Sequence, residues 1–89
     1  MKIKPGFILE KVADSYLAIA VGELAATFKA LIKLNETSAF LWRCLEEDDV
    51  SLEELAARMV SEYGIDSSLA LADAEKFVSI LESNGILDK

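Results

Sequence analysis

Few side chains in this sequence could do covalent chemistry. The 89 residues include one cysteine, Cys44, and no histidine, so Ser–His–Asp and Cys–His catalysis are excluded. One thiol without histidine does not make a zinc ligand set, and the four glycines are too scattered for a phosphate-binding loop. The acidic run EEDD at 46–49 lacks the alternation and the glycine of a calcium loop. We therefore expect no enzymatic activity, no metal and no cofactor in this chain.

The first part of the chain is rich in residues that favour strands. FILEKV (7–12) and YLAIAVG (16–22) are separated by the turn-forming ADS, which predicts a β-hairpin. Residues 23–26 fit either a loop or a helical turn. TFKALIKL (27–34) alternates between two faces, which is typical of a half-buried third strand. One face carries Phe28, Ala30, Ile32 and Leu34, and the other Lys29, Leu31 and Lys33.

The second part of the chain predicts three helices. Asn35 is a good N-cap for the first helix, whose apolar face includes Leu41, Trp42 and Leu45. We expect Trp42 to pack in the core and Cys44 to be an incidental thiol on this helix. Residues 51–54, Ser-Leu-Glu-Glu, fit a capping box for the second helix, which ends at Gly64. The third helix begins near 66–68 and ends at 84–86, Asn-Gly-Ile.

The order of elements, βββααα, predicts an α+β fold. A three-stranded antiparallel sheet followed by three helices has the components of a winged helix-turn-helix, although here the strands come first. The length predicts a single domain over 1–89. No apolar run reaches the roughly 20 residues of a membrane helix, and charged residues interrupt any signal peptide. We therefore expect a cytoplasmic protein.

Charge is unevenly distributed along the chain. The net charge is −7. Residues 1–34 carry five lysines and three acids, a net +2, whereas 35–89 carry four basic and thirteen acidic residues, a net −9. The acidic helical half disfavours binding to nucleic-acid phosphates. A winged-helix DNA-binding regulator therefore stays only as an alternative, beside a purely structural docking subunit.

Three sequence motifs, taken together and in their order along the chain, resemble those of the PqqD family, also called the RiPP recognition element. LIKLNETSAFLW (31–42) resembles the family's strand-to-helix junction, and SLEELAARMVSEYGID (51–66) resembles its following helix. ADAEKFVSILESNGILDK (72–89) resembles the last helix and its ending. The resemblance covers about residues 7–87.

The resemblance implies a non-catalytic peptide chaperone. Members of this family bind the leader of a ribosomally made precursor peptide by strand addition. They then present it to a modifying enzyme, often of the radical SAM type, in cofactor or modified-peptide biosynthesis. The expected partners are thus a leader peptide and a peptide-modifying enzyme, with no nucleic acid and no membrane. An exposed third-strand edge could also pair with a second copy, giving a homodimer.

The resemblance also implies where the leader binds. It would lie beside the third strand, in the groove between that strand and the third helix. The strand residues carried over to this site are Thr27, Phe28, Lys29, Ala30, Leu31, Ile32 and Lys33. The helix residues are Asp73, Lys76, Phe77 and Ile80.

Lys29 and Lys33 suggest what kind of leader this groove accepts. They flank Leu31 on one face of the strand, so they could pair with carboxylates of an acidic leader while Leu31 or Phe77 takes an apolar side chain. The alternative is a solvated strand face, whose lysines prevent strand edges from aggregating.

Overall fold

Five strands and three helices make up the part of the chain that the structure, a computed structural model, describes: residues 1–22, 25 and 32–88. The strands are β1 (Lys2–Ile3), β2 (Phe7–Val12), β3 (Ser15–Ala20), β4 (Ile32–Leu34) and β5 (Leu87–Asp88). The helices are α1 (Glu36–Glu47), α2 (Leu52–Tyr63) and α3 (Ser67–Ser83). This arrangement confirms the predicted α+β class, with strands followed by three helices.

The predicted hairpin is formed by β2 and β3. They pair antiparallel from Phe7 opposite Ala20 to Val12 opposite Ser15, so β3 begins one residue earlier and ends two residues earlier than the sequence suggests. Ala13 in the two-residue turn has a φ of 55°, a left-handed conformation that few residues other than glycine adopt. Tyr16 and Ala18 of β3 are buried, and this alternation fixes which face of the hairpin meets the helices.

The hairpin continues into a three-stranded antiparallel sheet of order β2-β3-β4. Tyr16 lies opposite Leu34 and Ala18 opposite Ile32. The predicted third strand, 27–34, is thus confirmed over Ile32–Leu34, whereas its first part, 27–31, lies outside the described residues. In the ambiguous segment 23–26, Ala25 is helical and its N–H donates to the carbonyl of Gly22 at 3.1 Å.

A second, smaller sheet was not predicted. Strands β1 and β5 pair antiparallel, with Lys2 opposite Asp88 and Ile3 opposite Leu87. The Lys4 N–H continues this pairing by donating to the carbonyl of Ile86 at 2.8 Å. Two-residue strands are too short to show an alternating pattern, so periodicity cannot reveal them.

The helix starts agree with the predicted caps. Asn35 caps α1, where its side chain accepts a hydrogen bond from the Ser38 N–H at 2.8 Å. Ser51 and Glu54 form the predicted capping box of α2, with hydrogen bonds of 3.1 and 3.3 Å. Gly64 ends α2 at a φ of 65°, a conformation that glycine adopts without a steric penalty.

The core lies between the three-stranded sheet and the helices. Trp42 is fully buried, as predicted, and Cys44 is also buried. The side chains of Lys11 and Arg43 approach the ring of Tyr16 at 5.7 and 5.5 Å from its centroid, within the range of cation–π contacts. The other large side chains that are at most 2% exposed are Leu41, Leu45, Leu55, Met59, Leu81, Ile86 and Val50.

Candidate functional site

Strand β4 lies at one edge of the sheet. It pairs with β3 on one side, and no other described strand pairs with it. Leu34 is buried and Ile32 is half-buried, while Lys33 between them is exposed, as the alternating pattern predicts. An edge strand presents backbone N–H and C=O groups that can pair with another extended chain. The edge of β4 is therefore the place where this sheet could accept a further strand.

Directly after β4, the chain enters α1 and borders a pocket, here called the α1–α3 pocket. Its volume is about 210 Å³. The start of α1 forms one wall and the middle of α3 forms the other. The residues that line it are Asn35, Thr37, Ser38 and Leu41 from α1, and Asp73, Lys76, Phe77 and Ile80 from α3.

The pocket combines an apolar floor with two opposite charges. Leu41 and Phe77 are 1% and 3% exposed, so they form the base of the pocket. Ile80 is 40% exposed and offers apolar surface at the rim. Asp73 and Lys76 add a carboxylate and an ammonium group on the same wall. Such a pocket can hold an apolar side chain and pair with a charged one beside it.

The four α3 residues named from the sequence share this single pocket. Asp73, Lys76, Phe77 and Ile80 follow the spacing i, i+3, i+4, i+7, which places them on one face of a helix. Their role in peptide binding stays a prediction.

The strand residues named from the sequence do not share one cavity in the way that the four α3 residues do. Ile32 and Lys33 belong to the β4 edge and do not line the α1–α3 pocket. Lys33 lines a separate depression of about 400 Å³, together with Asp14, Ser15, Leu34 and Asn35. Asn35 borders both cavities. The remaining strand residues, Thr27, Phe28, Lys29, Ala30 and Leu31, lie outside the described residues.

The first turn of α1 is the part of the pocket that sequence reasoning missed. The sequence indicates only a capping role for Asn35 and only a core role for Leu41. Thr37 and Ser38 are half-buried and polar. The sequence signal that could have identified Thr37 and Ser38 is that their helix starts directly after an edge strand. A peptide that pairs with the strand would run close to the start of that helix.

Residues 1–22, 25 and 32–88 contain no group of three His, Cys, Asp or Glu that could hold a metal ion. The Cys44 thiol is in the core and does not line the pocket. None of the described helices is long and apolar enough to cross a membrane. The site's groups are suited to holding a ligand by contacts and hydrogen bonds.

Two solved structures share the fold over nearly the whole chain. One, described as TbiB1 in complex with the TbiA(beta) leader peptide, has a TM-score of 0.77 and 20% identity, and the match covers 99% of this chain and 95% of that one. The other, described as lasso peptide synthetase B1 complexed with the leader peptide, has a TM-score of 0.71 and 21% identity, covering 96% and 93%. No curated protein sequence matches.

The family comparison covers most of the chain. The profile of the family described as coenzyme PQQ synthesis protein D (PqqD) matches residues 24–87, which include β4, all three helices and the α1–α3 pocket. The matched region thus contains every described residue of β4 and of the α1–α3 pocket. The chain belongs to the PqqD family.

Proposed function

We propose that this protein is a non-catalytic peptide chaperone that binds the leader of a ribosomally made precursor peptide. The leader adds as a strand to the edge of β4, and its side chains occupy the α1–α3 pocket. The protein then presents the precursor to a peptide-modifying enzyme, of the radical SAM type. Membership of the PqqD family supports this function, as do the two structural neighbours, which are described with a bound leader peptide.

One observation carries the proposal: a pocket with an apolar floor begins where an edge strand ends. Asn35 is the residue after β4 and also a wall of the pocket. A peptide that pairs with β4 would therefore continue over the start of α1 toward α3. Backbone pairing beside a side-chain pocket is the recognition mode of β-strand addition.

The energetics favour a ligand with apolar anchors. Pairing over five or six residues of the predicted third strand, of which the structure describes Ile32–Leu34, would add about four to six backbone hydrogen bonds, each contributing roughly 0.5 to 1.5 kcal/mol net. The entropy lost on ordering a flexible leader offsets most of this gain. Affinity then depends on side chains that bury against Phe77 and Ile80. We expect dissociation constants from about nanomolar to micromolar.

The enzyme partner would supply the chemistry and this chain the tethering. Holding the leader raises the effective concentration of the core peptide at the enzyme without any reaction in this protein. The proposal needs no metal and no cofactor in this chain. It places the protein in the cytoplasm, where a free cysteine such as Cys44 stays reduced.

The proposal is tested by calorimetric titration with a synthetic leader of the precursor peptide encoded beside this chain's gene. Ile80→Asn removes apolar surface from the rim of the α1–α3 pocket, and we expect the affinity to fall at least fivefold. Leu71→Asn is the matched control, because Leu71 is a similarly exposed residue of α3 (37% against 40%) that does not line the pocket. We expect the control to bind within twofold of the wild type.

Two results would contradict the proposal. The first is the absence of leader binding to the wild-type protein at concentrations up to about 100 μM, well above the expected range. The second is equal weakening by Ile80→Asn and Leu71→Asn, which would place the binding surface elsewhere.

A further inference from the structure

A second groove lies between α2 and α3, and the proposed leader site does not use it. This α2–α3 groove has a volume of about 430 Å³, and its residues are Glu53, Ala56, Ala57, Val60, Ser67, Ser68 and Leu71. Its apolar surface is accessible: Leu71 is 37% exposed, Val60 is half-buried and Ala57 is exposed. The groove is a shallow apolar channel rather than part of the closed core.

The α2–α3 groove and the α1–α3 pocket lie on opposite sides of α3. Leu71 in the groove and Ile80 in the pocket are nine residues apart. At about 100° per residue, nine residues correspond to two and a half turns, so the two side chains point in opposite directions. The buried residues Ala74, Val78 and Leu81 separate the two surfaces. A ligand in one site therefore leaves the other site open.

The surroundings of the α2–α3 groove are acidic. Residues 52–83 carry seven acids and two basic residues, Arg58 and Lys76. Arg58 pairs with Asp48 at 3.0 Å. Asp73 and Lys76 both lie in the α1–α3 pocket on the other side of α3, which leaves six acids and the paired Arg58 outside that pocket. The charged residue that lines the groove itself is Glu53. A partner for this surface must therefore carry positive charge around an apolar stripe.

The backbone of the groove favours a helical partner over a strand. Both walls are helices, whose backbone N–H and C=O groups bond within each helix except at its ends, so an extended peptide would find no strand edge to pair with. Binding must come from side chains, as when an amphipathic helix lies in an apolar groove. Ala56 and Ala57 in the α2 wall leave room for a helix to approach closely.

We infer that the α2–α3 groove docks the modifying enzyme through a basic amphipathic helix of that enzyme. The inference rests on the proposed function, which supplies the enzyme as partner. The leader and the enzyme would then occupy opposite sides of α3 at the same time, so that this helix holds the precursor next to the enzyme without competition between the two.

The inference is tested with the purified peptide-modifying enzyme encoded beside this chain's gene. Its affinity for the leader-free protein is measured by calorimetry for the wild type, Ala57→Lys and Ala72→Lys. Both alanines are exposed and helical, and both variants add one positive charge, but only Ala57 lines the groove. We expect Ala57→Lys to weaken enzyme binding at least tenfold and Ala72→Lys less than twofold. Leader affinity should be unchanged in both variants.

Each outcome distinguishes between the two proposals. If the enzyme does not bind, or if the two lysine variants weaken its binding equally, the docking inference is overturned. In those cases, intact leader binding would leave the proposed function standing. If the wild type fails to bind the leader, the proposed function itself is wrong. The docking inference then fails with it, because only the proposed function identifies the modifying enzyme as the partner.

Discussion

At the residue scale, we expect the ligand preference of the site to depend on two exposed cations, Lys33 on β4 and Lys76 on α3. We expect an acidic leader, and we expect Lys33→Glu and Lys76→Glu each to weaken its binding by about two- to fivefold. The change is modest because exposed ion pairs contribute up to about 1 kcal/mol. Calorimetry at low and high salt measures it, since screening should reduce the difference from wild type.

Lys4→Glu is the matched control for these two variants. Lys4 is exposed but lies next to β1, and it lines neither the α1–α3 pocket nor the depression beside Lys33. Equal effects of all three substitutions would show a response to net charge alone. That result would support the alternative in which Lys33 only protects the strand edge.

Asp66, the N-cap of α3, makes stability depend on pH. Hydrogen bonds from the Ser68 hydroxyl, and then from the Ser68 N–H, hold the pKa of this carboxyl below its ordinary value of 3.8. A lowered pKa stabilises the folded state above the unfolded-state pKa, and this contribution is lost as the pH falls through the folded-state pKa. The effect is therefore present at pH 7 and disappears under acidic conditions.

Asp66→Asn isolates this effect, because asparagine also caps helices but does not titrate. We expect the wild type to be more stable than the variant at pH 7, and the difference to shrink below about pH 4. Urea unfolding at several pH values measures the free energy of unfolding for both proteins. A difference that stays constant down to pH 2 would show that the Asp66 carboxylate does not stabilise the fold.

Residue identities in the site were partly predictable from sequence. The family resemblance implied Asp73, Lys76, Phe77 and Ile80, the helix period places them on one face, and the pocket contains all four. The contributions of Thr37 and Ser38 depend on how α1 packs against α3. That packing is set by tertiary contacts between residues far apart in sequence, which no local spacing encodes.

At the element scale, the start of α1 has two roles that can be separated. Asn35 caps α1 and lines the α1–α3 pocket, while Ser51 caps α2 and does not line it. Each substitution to alanine should cost about 1 kcal/mol of stability through loss of the cap. We expect Asn35→Ala to weaken leader binding as well, and Ser51→Ala to leave it unchanged.

Thermal or urea unfolding measures the stability of both variants, and calorimetry measures leader affinity. If Ser51→Ala reduced leader affinity as much as Asn35→Ala, the loss would follow stability rather than contact at the pocket. The assignment of Asn35 to the binding surface would then be wrong.

Strand addition predicts a specific pattern of hydrogen exchange. In an antiparallel sheet, alternate residues of an edge strand point their N–H groups away from the neighbouring strand. Leader binding should therefore slow exchange at the β4 amides that do not bond to β3. Amides on the opposite edge, in β2, should exchange as before.

Exchange measured by NMR with and without leader tests this pattern. Slowed exchange on β2, or unchanged exchange on β4, would contradict strand addition at this edge. Protection of β4 that grows with protein concentration in the absence of leader would instead indicate that two copies pair to form the homodimer.

The elements themselves were predictable to different degrees. The three helices have caps and apolar stripes that extend over three or more turns, so their starts are encoded locally. The β2–β3 hairpin is similarly local. In contrast, β1 and β5 join segments more than 80 residues apart, and each is stabilised by the other rather than by its own sequence.

At the scale of the whole molecule, charge and binding surfaces are divided between the two halves of the fold. Residues 1–34 have a net charge of +2 and include the strand edge of β4. Residues 35–89 have a net charge of −9 and include the α1–α3 pocket and the α2–α3 groove. Helix α3 lines both of these cavities. A domain of this size has little volume for a deep active site, and binding two partners on opposite faces of one helix needs none.

The central claim is that a leader peptide binds at β4 and the adjacent pocket. The most direct test is an NMR titration of the isotope-labelled protein with the synthetic leader encoded beside its gene. We predict that shifts concentrate on residues 27–38 and on the α3 face that contains Asp73, Lys76, Phe77 and Ile80. The α2–α3 groove should stay unperturbed. Shifts that concentrate on the groove or on β2, or no shifts at all, would contradict the account.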